Sequence, residues 1–116
     1  MPKLRRYHPN EDFFPLMRAL DERHQFWSRR SVDNSPKGLP VGGGEWMDSF
    51  FRAEAVRGVL TALRSGKGLE DSVADGKALC EIAVQIWNTR REWQVHRSSC
   101  WVEDFIRREI QLARGG

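Results

Sequence analysis

The chain is poor in cysteine: among 116 residues there are two, Cys80 and Cys100. One possible pair is not a disulfide framework, so cross-links are not expected to carry stability. Both thiols are expected to be reduced, with Cys80 packed on a helix as a small hydrophobe. Long apolar runs are missing too, and nothing approaches the ~20 residues that cross a bilayer. The start, Met1-Pro2-Lys3-Leu4-Arg5-Arg6, is basic but leads to Glu11 and Asp12 rather than to an apolar stretch. A secretory leader is therefore not expected, and an intracellular, cytoplasmic setting is. Lysine is scarce, with 4 Lys against 15 Arg. Strand-like alternation of apolar and polar residues is missing throughout, and so is any internal repeat.

What remains is a helical chain. Hydrophobic residues make up 40% and charged residues 30%, the balance of a globular domain rather than of a disordered one. The length suits one domain, 1–116, burying roughly two thirds of its unfolded surface. The fold class expected is all-α: a small bundle of about four helices with a long Gly/Pro loop between the first and second. Residues 1–11 form a basic N-terminal arm.

Apolar spacing places the helices. Phe13, Leu16, Met17, Leu20, His24 and Trp27 recur at three and four, after Asp12 as N-cap and before Arg29 and Arg30. Residues 31–44 hold Pro36, Gly38, Pro40 and Gly42-Gly43-Gly44, and are expected to be a flexible loop. A second helix is predicted from Glu45 to Leu63 along Trp46, Met47, Phe50, Phe51, Ala55, Val59 and Leu60, ended by Ser65-Gly66-Lys67-Gly68. A third is predicted from Leu69 to Arg91. It is lined by Val73, Leu79, Cys80, Ile82, Ala83, Ile86 and Trp87, and is the most buried-looking of the four. Gly76 interrupts it, at a cost on the order of 1 kcal/mol for an interior glycine. The last helix holds Trp101, Val102, Phe105, Ile106 and Ile110, and a break near Ser98-Ser99 separates it from the third.

Charge is unevenly spread. Residues 69–89 are net −3, whereas 1–30 are net +3 and 90–116 net +2. The acidic third helix then either neutralises neighbouring helices within the molecule or meets a basic face of another copy, where complementarity sets register more than affinity.

Catalytic and metal chemistry find little footing. His96 and Cys100 are spaced one helical turn apart, but structural zinc needs four ligands and nothing else clusters with them. No G-x-S-x-G elbow is present, and His24 falls on an apolar stripe. Glu70-Asp71 and Glu103-Asp104 sit at helix starts, where they complement the dipole. Gly42-Gly43-Gly44 and Gly66-Lys67-Gly68 precede helices without matching a phosphate loop, and are expected to be hinges or turns. No cofactor, metal or catalytic residue is expected.

Two macromolecular readings remain. Arg90, Arg91, Arg97, Arg107 and Arg108 are interleaved with Trp93 and Trp101, a mixture suited to protein hot spots and to nucleic-acid backbones and bases. The first reading is a non-catalytic helical subunit or adaptor in an oligomer or larger assembly. It touches other protein subunits, and DNA or RNA through phosphate contacts, by these seven residues. In composition alone it resembles small subunits of phage particles or nucleic-acid-processing complexes. The alternative is a DNA-binding protein with a helix-turn-helix-like segment at 63–91, in which Gly76 is the turn glycine and Ile82 an inward residue of the next helix. Against it, Lys77 stands where an apolar residue packs, and Lys77-Ala78-Leu79-Cys80-Glu81 offers few donors to base edges.

Overall fold

The computed structural model describes residues 11–33, 45–89 and 98–115. Their elements are a short 3-10 turn, Glu11–Phe13, and four α-helices: α1 Phe14–Asp33, α2 Glu45–Arg64, α3 Leu69–Thr89 and α4 Val102–Ala113. No strand occurs among the described residues. This is the expected all-α bundle. Of the stretch 31–44 expected to be a loop, the first three residues are helical, because α1 continues through Ser31 to Asp33. Ser31 Oγ donates to the Trp46 carbonyl at 2.8 Å, tying the end of α1 to the start of α2. The rest of that loop, 34–44, and the basic arm, 1–10, lie outside the described residues.

The end of α2 follows from local chemistry. Gly66 has φ of 98°, a left-handed conformation that glycine adopts without a Cβ clash. The Lys67 amide donates to the Ala62 carbonyl and the Gly66 amide to that of Leu63, both at 3.1 Å, which closes the helix with a Schellman motif. The chain reverses there, and α3 runs back along α2. At the start of α4, Ser98 and Ser99 are not helical, so α3 and α4 are separate helices, as expected.

Side-chain pairings fix an up-down-up-down order. Phe51 meets Cys80, and Trp46 meets Trp87 with ring centroids 5.5 Å apart, so α2 and α3 are antiparallel. Glu109 of α4 pairs with Arg23 of α1, and Phe105 with Trp27. Glu103 and Arg107 of α4 pair with Lys77 and Glu70 of α3. Thus α4 lies antiparallel to both α1 and α3. With 12 residues against the 21 of α3, it runs beside only the first half of that helix.

The helix buried on most sides is α2 rather than α3. Met47, Phe51, Ala55, Val56, Val59 and Leu63 are all within 1% of full burial. On α3 the buried set is Ser72, Val73, Gly76, Cys80, Val84 and Trp87. Ile82 and Ile86, expected to line the core, are 53% and 55% exposed. The cause is angular. At about 100° per residue, Ile82 stands roughly 200° around the helix from Cys80.

Gly76 is a packing residue and not a break. It is buried in the middle of a continuous helix. A Cβ there would stand 2.6 Å from the Ala55 carbonyl oxygen, and one at Gly58 would stand 2.7 Å from the Gly76 Cα. Paired glycines let the α2 and α3 backbones touch. The turn that the helix-turn-helix alternative puts at Gly76 is therefore absent: Leu69–Thr89 is one helix and Ile82 points outward. The described part of the helix-turn-helix-like segment is instead an α2–α3 hairpin.

Candidate interaction surface

The arginine and tryptophan surface read from the sequence is split by the fold. Arg90, Arg91, Trp93 and Arg97 lie outside the described residues, as does His96. Trp101, Arg107 and Arg108 are described, and they do not converge.

Trp101 is half-buried at the start of α4. Its Nε1–H donates to the Ser98 carbonyl at 2.6 Å, and its ring meets Phe105 edge-on, with centroids 5.8 Å apart. The cation over its face is Arg52 of α2, 4.6 Å from the ring centroid. Arg52 also lies 5.5 Å from the Phe105 ring and 5.6 Å from that of Trp27, and donates to the Asp48 carbonyl at 3.1 Å. A flat guanidinium suits this site because it stacks on rings while its edge donates hydrogen bonds.

Arg107 faces the other way, toward α3. It grips Glu70 with two hydrogen bonds of 2.9 and 3.1 Å, and its Nε donates to Glu103 at 3.3 Å. Lys77 reaches Glu103 from α3 at 3.4 Å. Hydrogen bonds from Arg107 hold both the Glu70 and Glu103 carboxyls below their ordinary value, and Glu70 and Glu103 in turn push the Arg107 guanidinium up. Glu70, at the acidic start of α3, therefore neutralises Arg107 of α4 within the molecule. Arg108 is exposed.

A buried carboxylate joins α4 to α1. Glu109 is 4% exposed and receives the Arg23 Nε at 2.8 Å, Arg23 Nη2 at 3.1 Å and Trp27 Nε1 at 2.9 Å. The Arg23 guanidinium also stacks 4.7 Å from the Phe26 ring centroid. A buried charge persists when it is paired and its remaining lone pairs are bonded, as here. The sequence reading missed Glu109. Its place in the Ile106 and Ile110 stripe was the available sign of burial.

Neither cysteine is in a disulfide. Burial pushes the Cys80 thiol up to about 12, and it donates to the Phe51 carbonyl. Cys100 is exposed beside Ser98 Oγ, 3.0 Å away. His24 is half-buried, 3.3 Å from Ser28 Oγ. Among the described residues no three metal-ligating side chains cluster, and no helix is long and apolar enough to cross a membrane.

What the molecule does offer is exposed apolar surface at one end. Among the described residues, seven large hydrophobic side chains are exposed. Phe26, Val32, Phe50, Ile82 and Ile86 belong to the half where α1 ends, α2 begins and α3 ends. Phe14 and Leu112 belong to the opposite half. Contiguity is what marks a contact surface, and Ile82 and Ile86, one helical turn apart on the outer face of α3, supply it. The sequence signal for part of it was present: Leu79, Ile82 and Ile86 form a second stripe, distinct from Val73, Cys80, Val84 and Trp87. No family model, curated protein or solved structure matches the chain.

Proposed function

We propose that the protein is a non-catalytic helical subunit that works through protein–protein contacts made at the end of the bundle where α1 ends, α2 begins and α3 ends. The observation that carries this reading is the gathering of Phe26, Val32, Phe50, Ile82 and Ile86 in that half. Internal pairing of charge supports it. Arg23, Arg57 and Arg107 are each bound to a carboxylate of the same chain, so their charge is committed within the molecule. Of the described members of the Arg/Trp set, Arg107 is held by Glu70 and Glu103 and Trp101 by Arg52, which leaves exposed Arg108 for phosphate, so phosphate contact ranks below protein contact.

A photo-activated crosslinking residue placed singly at Val32, Phe50 or Ile86 in cells tests the reading. Discrete covalent adducts are expected there and not at Thr61 or Leu112, which are exposed elsewhere. Adduct masses identify whether the partner is the same chain. Absence of adducts at all three positions refutes this surface.

A further inference from the structure

We infer that a second copy of this chain docks on the outer face of α3, in an antiparallel, two-fold contact centred on Ile82. The inference rests on the contact-subunit reading and names the partner for one part of that surface.

The outer face carries its own seam. Leu79, Ile82, Ile86 and Thr89 are spaced three, four and three, the interval at which one helix packs knobs into another. Leu79 is half-buried, while Ile82 and Ile86 are more than half exposed. The opposite stripe of the same helix, through Cys80, Val84 and Trp87, is already buried in the bundle. A helix apolar on both sides is expected to be covered on both. On α2, Phe50 is exposed as well. It adjoins Phe51, whose carbonyl meets Cys80, so it lies near the level of Ile82.

Charge does not oppose a second copy here. From Ala78 to Thr89 the helix has one charged residue, Glu81, set about 100° around from Ile82 and off the seam. Asp75, at the end of the seam, is neutralised by Lys67 at 2.5 Å. A strongly acidic or basic face would repel its own copy, whereas this one does not. Shape agrees. With Ile82 on the two-fold axis of an antiparallel pair, Ile86 falls opposite the partner's Ala78, large against small. Asp75 falls opposite the partner's Thr89. Such a contact is isologous, the commonest arrangement among soluble oligomers. Half a helix and one phenylalanine give less than the ~800 Å² per partner of a standard interface, so a dissociation constant on the order of 10–100 μM is expected.

Sedimentation velocity across a concentration series up to about 500 μM tests this, a range that brackets such an affinity. A monomer–dimer equilibrium is expected. Ile82→Glu and Ile82→Lys should each be monomeric with unchanged far-UV circular dichroism. An equimolar mixture of the two should dimerise again, because the axis sets residue 82 against residue 82. Val32→Glu, on α1 at 73% exposure, should dimerise like the parent. A parent that stays monomeric overturns the inference, as does a dimer indifferent to Ile82→Glu or a mixture that fails to re-form one. A monomeric parent leaves the contact-subunit reading standing, since the crosslinking experiment decides that separately.

Discussion

Replacing Gly76 with alanine should destabilise the protein, although in an open helix the same change would stabilise it. Alanine gains about 1 kcal/mol over glycine in helix propensity. Against that, the new Cβ would stand 2.6 Å from the Ala55 carbonyl oxygen and 3.1 Å from the Val59 amide nitrogen. Both obstacles are backbone, so no rotamer change relieves them, and α2 and α3 must move apart. Overpacking of this kind costs about 1–3 kcal/mol, and a backbone clash belongs at the upper end. The net loss is then about 2 kcal/mol, a fall of ~8 °C in Tm at roughly 4 °C per kcal/mol for a chain of this size. Urea unfolding followed by far-UV circular dichroism reads the change directly. The internal control is Ala74→Gly, exposed and two residues away, which should lose about 1 kcal/mol through propensity alone. Gly58→Ala should show the same sign as Gly76→Ala, because a Cβ there would stand 2.7 Å from the Gly76 Cα. The double variant should lose less than the sum of the two, since one separation of α2 from α3 relieves both clashes. Gly76→Ala at parent stability or above would refute the close approach of the two helices.

Three further outcomes are expected. Glu109→Gln should lower stability by about 1–2 kcal/mol in urea unfolding, less than a fully buried pair would lose because the Arg23 side chain is 29% exposed; an unchanged midpoint would mean that the α1–α4 joint does not depend on the charge. Glu70 and Glu103 are held below their ordinary value by Arg107, so the unfolded chain binds their protons more readily. Their stabilisation is present above the unfolded carboxyl value of 4.5 and is lost as pH falls through the lower folded values. Arg107→Ala should flatten that part of the acid limb in denaturation curves taken across pH, and an identical limb would refute the network. Cys80, buried and pushed up to about 12, should resist alkylation in the folded protein at mildly basic pH while exposed Cys100 reacts, as read by mass spectrometry. Equal labelling of both thiols would show that the α2–α3 interface opens readily.

The four helices were legible because their signals are local: apolar spacing for α1 and α2, and Ser65-Gly66 for the stop between α2 and α3. The errors lie where a distant residue decides. The end of α1 was placed too early because Ser31 is held by the Trp46 carbonyl, a contact that composition does not encode. Gly76 carried a signal of interruption, but a glycine that breaks a helix and one that admits a neighbouring backbone look alike until the neighbour, Gly58, is in place. On α3 apolar residues occur nearly all round, so the sequence could not say which stripe faced inward. The register with Phe51 and Trp46 chose Cys80, Val84 and Trp87 and left Ile82 and Ile86 outside. The cation over Trp101 is Arg52 of α2, an arginine that the sequence did not set beside it.

The arginine excess deserves a different weight once the helices are assembled. Read along the chain, 15 arginines suggest a surface for phosphate. In the fold, Arg23 joins α1 to α4, Arg52 fills a nest of three rings, Arg57 grips Glu54, Arg64 approaches Asp21 at 3.6 Å, and Arg107 joins α4 to α3. Most of these roles need a planar, multidentate cation: lysine could neutralise Glu109 or Glu70 but could not donate two parallel bonds or stack on Trp101. Arginine here serves as joinery between helices that meet at few points, because α4 is short and its contacts with α1 and α3 are correspondingly limited. Ile82 and Ile86, on the far side of α3, are aliphatic side chains without such a task. In a molecule whose described cations are largely engaged with its own carboxylates and rings, Ile82 and Ile86 are therefore the stronger pointers to a partner.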